Sequence, residues 1–217
     1  MILEAALVGL TRFLVGGRAY WLGAQPTSRQ RIYFANHRSN LDTVVLWAAL
    51  PPPLRRRTRP VAAKDYWATG RLRRLFALDV LRAVLIERGG GREALDPLHA
   101  ALAEGDSLII FPEGGRGPGP APLRFKTGLY HLAMAHPDVQ LVPVWLDDVG
   151  RALPKGVSIP IPVSTRALIG APIAPGPGEA RDAFLARARD AVVALGVSLH
   201  PDLPVEAPEP APEPAHA

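Results

Sequence analysis

The sequence predicts a single α/β domain built on a central mixed, largely parallel sheet with helices on both sides. Three observations carry that reading. Short apolar runs recur at 32–34, 60–63, 83–87, 107–111, 141–146 and 166–169, each the length of a strand. Helical patterns lie between most of them, near 41–50, 64–79, 92–104, 127–135 and 179–196, and strands alternating with helices favour such a sheet. A chain of 217 residues with 48% hydrophobic content also suits one domain with a sizeable core.

Composition narrows the chemistry before any motif is read. With no cysteine, disulfides, thiolate metal sites and cysteine nucleophiles are excluded. The formal charge is +5 and the basic excess is almost all arginine, whose planar fork of donors suits phosphate groups. Nucleic acid, an anionic membrane surface and a phosphorylated metabolite are all partners of matching charge.

Residues 1–25 are rich in Leu, Val, Ala and aromatics but are interrupted by Glu4, Arg12 and Arg18. That is too polar for a spanning helix, which needs about 20 nearly uninterrupted apolar residues. Glu4 stands where a signal peptide would be basic. An N-terminal amphipathic, interfacial helix is expected over 1–25, anchored by Phe13, Tyr20 and Trp21. An ordinary helix packed on the core fits equally well. The folded domain then covers 26–200, and the Pro/Glu-rich stretch 201–217 is expected to be a disordered tail.

The run 31–35 leads directly into Asn36-His37-Arg38-Ser39-Asn40-Leu41-Asp42, so the latter occupies a strand-to-helix turn. On one ideal helix, residues five apart point roughly 140° away from each other. His37 must therefore sit in the loop. Ser39 or Asn40 is the expected N-cap, with Asp42 in the first helical turn, where negative charge is favoured. From there the carboxylate can accept from one ring nitrogen of His37, leaving the other free as a base. A capped turn with no chemistry explains the same spacing.

Further along, the run 83–87 delivers Arg88 into Gly89-Gly90-Gly91, a place for an anion or for a solvated arginine. The segment 60–63 precedes a helical pattern containing Trp67 and the basic stretch Arg71-Leu72-Arg73-Arg74-Leu75-Phe76, suited to an anionic leaflet or, through its apolar residues, to the core. The run 107–111 opens into Pro112-Glu113-Gly114-Gly115-Arg116-Gly117. Here glycines admit close backbone approach, Arg116 can chelate a phosphate, and Glu113 can bind a hydroxyl or order the loop. Lys126, one of three lysines, precedes an apolar helix, where a cation is unfavourable unless an anion sits nearby. Pro143, within an apolar run, points to a sheet edge or a bulge.

Taken in order, these blocks resemble the glycerolipid acyltransferase family typified by 1-acylglycerol-3-phosphate acyltransferase. The resemblance rests on Asn36-His37 with Asp42, Leu85-Ile86-Glu87-Arg88, Phe111-Pro112-Glu113-Gly114-Gly115-Arg116-Gly117, Phe125-Lys126-Thr127-Gly128 and Val142-Pro143-Val144. Gly115 and Gly117 stand where the family usually has threonine and serine, so two hydroxyls are missing from the third block.

The resemblance implies transfer of a fatty acyl group from acyl-CoA or acyl-acyl carrier protein (acyl-ACP) to a lysophospholipid hydroxyl, with 1-acylglycerol-3-phosphate giving phosphatidic acid. It implies His37 and Asp42 as catalytic residues and Arg88, Glu113, Gly114, Arg116 and Lys126 as substrate-binding residues. No metal and no bound cofactor are expected, the thioester being a co-substrate. The expected partners are the lysophospholipid, the acyl carrier protein or CoA thioester, and an anionic membrane surface, with no nucleic acid. The expected place is the cytoplasmic side of a membrane, as a peripheral or monotopic protein. Two rivals remain: the same chemistry on glycerol-3-phosphate or a lyso-aminolipid, and a non-catalytic lipid- or phosphate-binding module.

Overall fold

Successive side chains of a strand point to opposite faces, and the run around Tyr33 becomes the middle of the fold on that account. Ile32 and Phe34 join one hydrophobic core while Tyr33 and Ala35 join the other. The computed structural model describes residues 2–67, 70, 74–117, 119–149 and 163–206. Its strands are β1 (Arg18–Trp21), β2 (Arg31–Ala35), β3 (Thr58–Ala63), β4 (Val84–Ile86), β5 (Ser107–Ile110), β6 (Gln140–Asp147) and β7 (Arg166–Ile169). They form one seven-stranded sheet in the order β1-β7-β6-β2-β5-β3-β4. Strands β6, β2, β5, β3 and β4 are mutually parallel, β7 is antiparallel to β6, and β1 is parallel to β7.

The helices are α1 (Ile2–Val15), α2 (Asp42–Ala49), α3 (Pro52–Arg56), α4 (Lys64–Trp67), α5 (Asp96–Ala103), α6 (Gly128–Ala135) and α7 (Arg181–Val197). From β2 the chain passes through α2 and α3 to β3 on one side, whereas from β5 it passes through α6 to β6 on the other. The strand order therefore reverses between β2 and β5. Right-handed crossovers in opposite directions put α2 and α6 on opposite faces, and their apolar residues indeed fall into separate cores. The crevice at such a reversal, outside the carboxyl ends of the strands, is where α/β sheets bind ligands.

Several expectations are corrected. The helix expected over 1–25 stops at Val15, because Gly16 and Gly17 both take positive φ (74° and 53°) and Arg18–Trp21 then adds to the sheet as β1. The helix expected over 64–79 is interrupted: α4 ends at Trp67, Gly70 has φ 89°, and Phe76–Val80 forms a π-turn. Arg71, Leu72 and Arg73 of the basic segment lie outside the described residues, while Phe76 stacks on Trp67. The short helix α3, with two prolines and two arginines in five residues, was not expected from the pattern.

Pro143 is not at an edge, since β6 lies between β7 and β2. Val144 pairs with Ile169, but Leu141 bridges to Ile173, so the strand opposite carries one extra residue. This is a bulge. Pro143 needs no donor there, and its carbonyl accepts from Gly170 at 2.9 Å. A Cβ on Gly170 would lie 3.0 Å from the Pro143 ring, a tight fit that would make the ring give by a few tenths of an ångström.

The proline-rich stretch expected to leave the fold at Pro201 keeps contact with it as far as Val205, whose carbonyl accepts from Arg189 at 2.8 Å. The remainder of that stretch, 207–217, lies outside the described residues.

Candidate active site

Where β2 ends, the side chain of Asn36 continues its ladder. Its amide nitrogen donates to the carbonyl of Leu146 at 3.1 Å and its oxygen accepts from the Leu146 N–H at 2.7 Å. A buried asparagine used this way mimics a strand peptide and satisfies polar groups that burial would otherwise leave costly. Asn36 is thus an anchor, and the turn that departs from it begins at His37.

His37 Nδ1 lies 2.9 Å from Asp42 Oδ2. The same oxygen accepts from the backbone N–H groups of Arg38 (2.6 Å) and Ser39 (2.8 Å). Neither Ser39 nor Asn40 occupies the N-cap position of α2, which falls to Leu41 without a side-chain cap bond. Asp42 closes the turn from inside the helix instead, so the capping and acid–base readings of this carboxylate coexist. A carboxylate accepts only, so the ring proton belongs on Nδ1 and Nε2 keeps a lone pair able to accept a proton. The ring is stacked on Phe111 with centroids 4.4 Å apart, which fixes its plane. Nothing in the local sequence around His37 points to Phe111 as its support.

The loop after β5 meets this turn across the strand reversal. Glu113 is 4% exposed; one carboxyl oxygen accepts from the His37 backbone N–H at 2.6 Å and the other from the Leu123 N–H at 2.7 Å. Burial pushes its carboxyl up to about 7, against the two backbone donors and the His37 ring. The Gly117 N–H donates back to the His37 carbonyl at 3.1 Å. Glu113 therefore orders the loop and the His37 turn together, with both oxygens engaged.

A cavity of about 350 Å³ opens beside His37 and is also lined by Arg88, Gly114 and Lys126. Its inner wall is apolar, with Ile110, Leu98, Leu129 and Leu132. Its mouth holds the Gly89–Gly91 turn and Gly128 at the N-terminus of α6, a position favourable to anions. Arg88 is paired with Asp65 at 2.9 Å, both side chains 57% exposed. Gly114 has φ 71°, and a Cβ there would come within 2.6 Å of Lys126 Cε, so the absence of a side chain is what lets Lys126 cross the loop. Arg116 is exposed and does not line the cavity. Gly115 faces open space, so the hydroxyl missing there leaves a gap in front of the loop.

Of the residues singled out from sequence, His37, Arg88, Gly114 and Lys126 thus share one cavity, with Asp42 and Glu113 behind it and Arg116 outside. Among the described residues no three or more His, Cys, Asp or Glu side chains gather as a metal site, and no helix is long and apolar enough to cross a membrane.

Residues 22–147 match the family described as Acyltransferase. The chain is 30% identical over 170 residues to a 1-acyl-sn-glycerol-3-phosphate acyltransferase of Limnanthes alba, covering 71% of this chain and 58% of that protein. It is 33% identical over 131 residues to the protein of that name from Escherichia coli (strain K12), covering 52% and 45%. The chain thus spans about half the length of these relatives. In structure it resembles the 1-acyl-sn-glycerophosphate (LPA) acyltransferase PlsC of Thermotoga maritima with a TM-score of 0.65 at 18% identity, over 91% of this chain and 79% of that one, a likeness of fold.

Proposed function

Because the chain belongs to the Acyltransferase family, we propose that it moves a fatty acyl group from a CoA or acyl carrier protein thioester to the hydroxyl of a lysophospholipid, with 1-acylglycerol-3-phosphate as acceptor. The observation that carries this is the His37–Asp42 pair at the mouth of a cavity that is cationic outside and apolar within. A phosphate and an acyl chain on one molecule ask for that combination.

In the reaction, Nε2 of His37 takes the proton of the acceptor hydroxyl as its oxygen attacks the thioester carbonyl. The resulting imidazolium is stabilised by Asp42, 2.9 Å from Nδ1. Collapse of the tetrahedral species breaks the carbon–sulfur bond, and the thiolate recovers the proton from His37. The acyl group is then an ester and the carrier a free thiol. Arg88, Lys126 and the first turn of α6 hold the acceptor phosphate. The exposed Arg88–Asp65 pair is worth only about 0–1 kcal/mol, so a phosphate displaces Asp65 at little cost. Glu113 and Gly114 serve through the loop, and Arg116 assists from outside the cavity.

Access to lipid comes from the membrane surface on the cytoplasmic side. Phe13 is 86% exposed, with Leu10, Tyr20 and Leu22 also exposed on the N-terminal segment. Large apolar groups in water at neighbouring positions suit interfacial insertion.

The test is incubation of the purified protein with labelled acyl-CoA or acyl-ACP and a panel of lysolipids and glycerol-3-phosphate. Phosphatidic acid from 1-acylglycerol-3-phosphate supports the reading. A different acylated product moves the assignment to that head group, and binding of lysolipid without any product leaves the non-catalytic module.

A further inference from the structure

Two chains of contacts link the segment beyond α7, through intermediate residues, to Asn36 and to the backbone N–H of His37. On one side, His200 Nε2 lies 2.6 Å from Asp147 Oδ1, and Arg166 donates to Asp147 Oδ2 at 2.7 Å. Asp147 is 3% exposed; burial pushes its carboxyl up, yet the bonds from His200 and Arg166 together hold it below its ordinary range. Its neighbour Leu146 is the residue doubly bonded to Asn36, which adjoins His37. On the other side, Arg189 of α7 donates through Nη1 to the Val205 carbonyl at 2.8 Å and through Nε to the Pro122 carbonyl at 3.0 Å. The next residue, Leu123, donates to Glu113, which in turn accepts from His37.

Between the two anchors, Leu203 packs into the angle between Trp145 and Gly196, where a Cβ on the glycine would meet them at 2.8 Å and 2.7 Å. The same segment forms one wall of a cavity of about 580 Å³ whose lining includes Arg38, the residue after His37.

A buried guanidinium is an expensive way to fill a helix face. Arg189 is 7% exposed, and its Nη2 has no hydrogen-bond partner among the described residues. A leucine would pack there without that desolvation cost. What the arginine provides is a rigid two-pronged link between the loop exit at Pro122 and the segment at Val205.

We infer that residues 199–205 are a brace for the catalytic turn, with Arg189 as a positioning residue that holds Glu113 and thereby His37 in register. This goes beyond the acyl-transfer reading by assigning a task to chain outside the family match, and the kinetic arm of its test rests on that reading.

The test compares Arg189→Met, Arg189→Lys, a chain ending after Leu199 and a chain ending after Glu206. Hydrogen exchange is read at the His37 and Leu123 amides, with Ile32 as the core control. In Arg189→Met and in the chain ending at Leu199, the first two amides should exchange at least about 10-fold faster while Ile32 is unchanged. Misplacement of a catalytic group by about 1 Å costs up to about 100-fold in rate. Turnover per folded molecule should accordingly fall about 10- to 100-fold in these two forms, and the pH–rate profile should change shape rather than merely scale down. The chain ending after Glu206 should match the full chain, and Arg189→Lys should recover part of the loss. Unchanged exchange at His37 in folded Arg189→Met and in the shortened chain overturns the brace. Absence of acyl transfer in the unaltered protein overturns the proposed function instead, and leaves the exchange result to decide the brace.

Discussion

Glu113 accepts a hydrogen bond from the backbone N–H of His37 at 2.6 Å, so the residue proposed as the base is held by a carboxylate from another loop. Removing the carboxylate in Glu113→Ala strands the amides of His37 and Leu123. Each buried donor left without a partner costs roughly 1–3 kcal/mol, and urea unfolding should show a loss of that order or twice it. Glu113→Gln keeps one acceptor oxygen and should cost less. Equal stability of the alanine variant and the unaltered protein would contradict this account of the loop.

The same carboxyl makes folding pH-dependent in an unusual direction. Its ordinary value of 4.5 rises to about 7 in the fold, chiefly through burial. The unfolded chain thus releases the proton near 4.5 while the folded chain keeps it to about 7. Stability is full below the lower value, declines as pH rises between the two, and stays reduced above about 7. At about 1.4 kcal/mol per unit, the decline amounts to about 3 kcal/mol at most. Unfolding free energies of the unaltered protein and Glu113→Gln between pH 5 and 8 should converge as pH rises; parallel curves would rule the effect out.

His37→Ala should lower turnover by at least about 10²- to 10⁴-fold, the usual reach of general base catalysis, with the fold intact. Asp42→Ala should cost both rate and stability, because Asp42 also holds the amides of Arg38 and Ser39. Circular dichroism melts alongside rates separate the two. A folded His37→Ala protein with near-native rate would end the mechanism.

Substitutions at the mouth of the cavity should act on the acceptor. Arg88→Gln and Lys126→Gln should raise its KM about 10-fold, and Arg116→Gln should do less, since Arg116 does not line the cavity. Gly114→Ala should raise KM as Lys126→Gln does, because the added Cβ displaces the end of Lys126, and should also cost stability, because position 114 holds a φ of 71°. Steady-state kinetics with varied 1-acylglycerol-3-phosphate checks all four; a larger effect at Arg116 than at Arg88 would reverse the assignment.

The exposed N-terminal side chains predict surface binding. Phe13→Ser together with Leu10→Ser should reduce sedimentation with phosphatidylglycerol vesicles by about 10-fold or more, each lost apolar contact being worth about 1 kcal/mol or more. Undiminished binding of the double variant would place the contact elsewhere.

The geometry around His37 was legible because it is local. A strand-to-helix turn with a histidine and a carboxylate five residues on is written in consecutive letters, and so are the glycine loops after β4 and β5. The support of the site was not legible in the same way. That Phe111 stacks on the His37 ring, or that Asp65 pairs with Arg88, is not signalled by anything in the sequence. Asn36 reads as a turn residue until Leu146, 110 positions away, is beside it.

By itself the sequence determined the strand and helix periods, the turn that exposes His37, and the absence of cysteine chemistry, all consequences of side-chain pattern within a few residues. Tertiary structure alone decided which loops meet. The reversal of strand order between β2 and β5 brings Glu113 to His37 across 76 positions, and the bulge opposite β6 admits Pro143 to the sheet interior. The closing of Arg18–Trp21 onto β7 made a strand of residues expected to be helical. Pattern fixes the conformation of a segment, but hydrogen-bond partners far along the chain become neighbours only when the sheet has assembled.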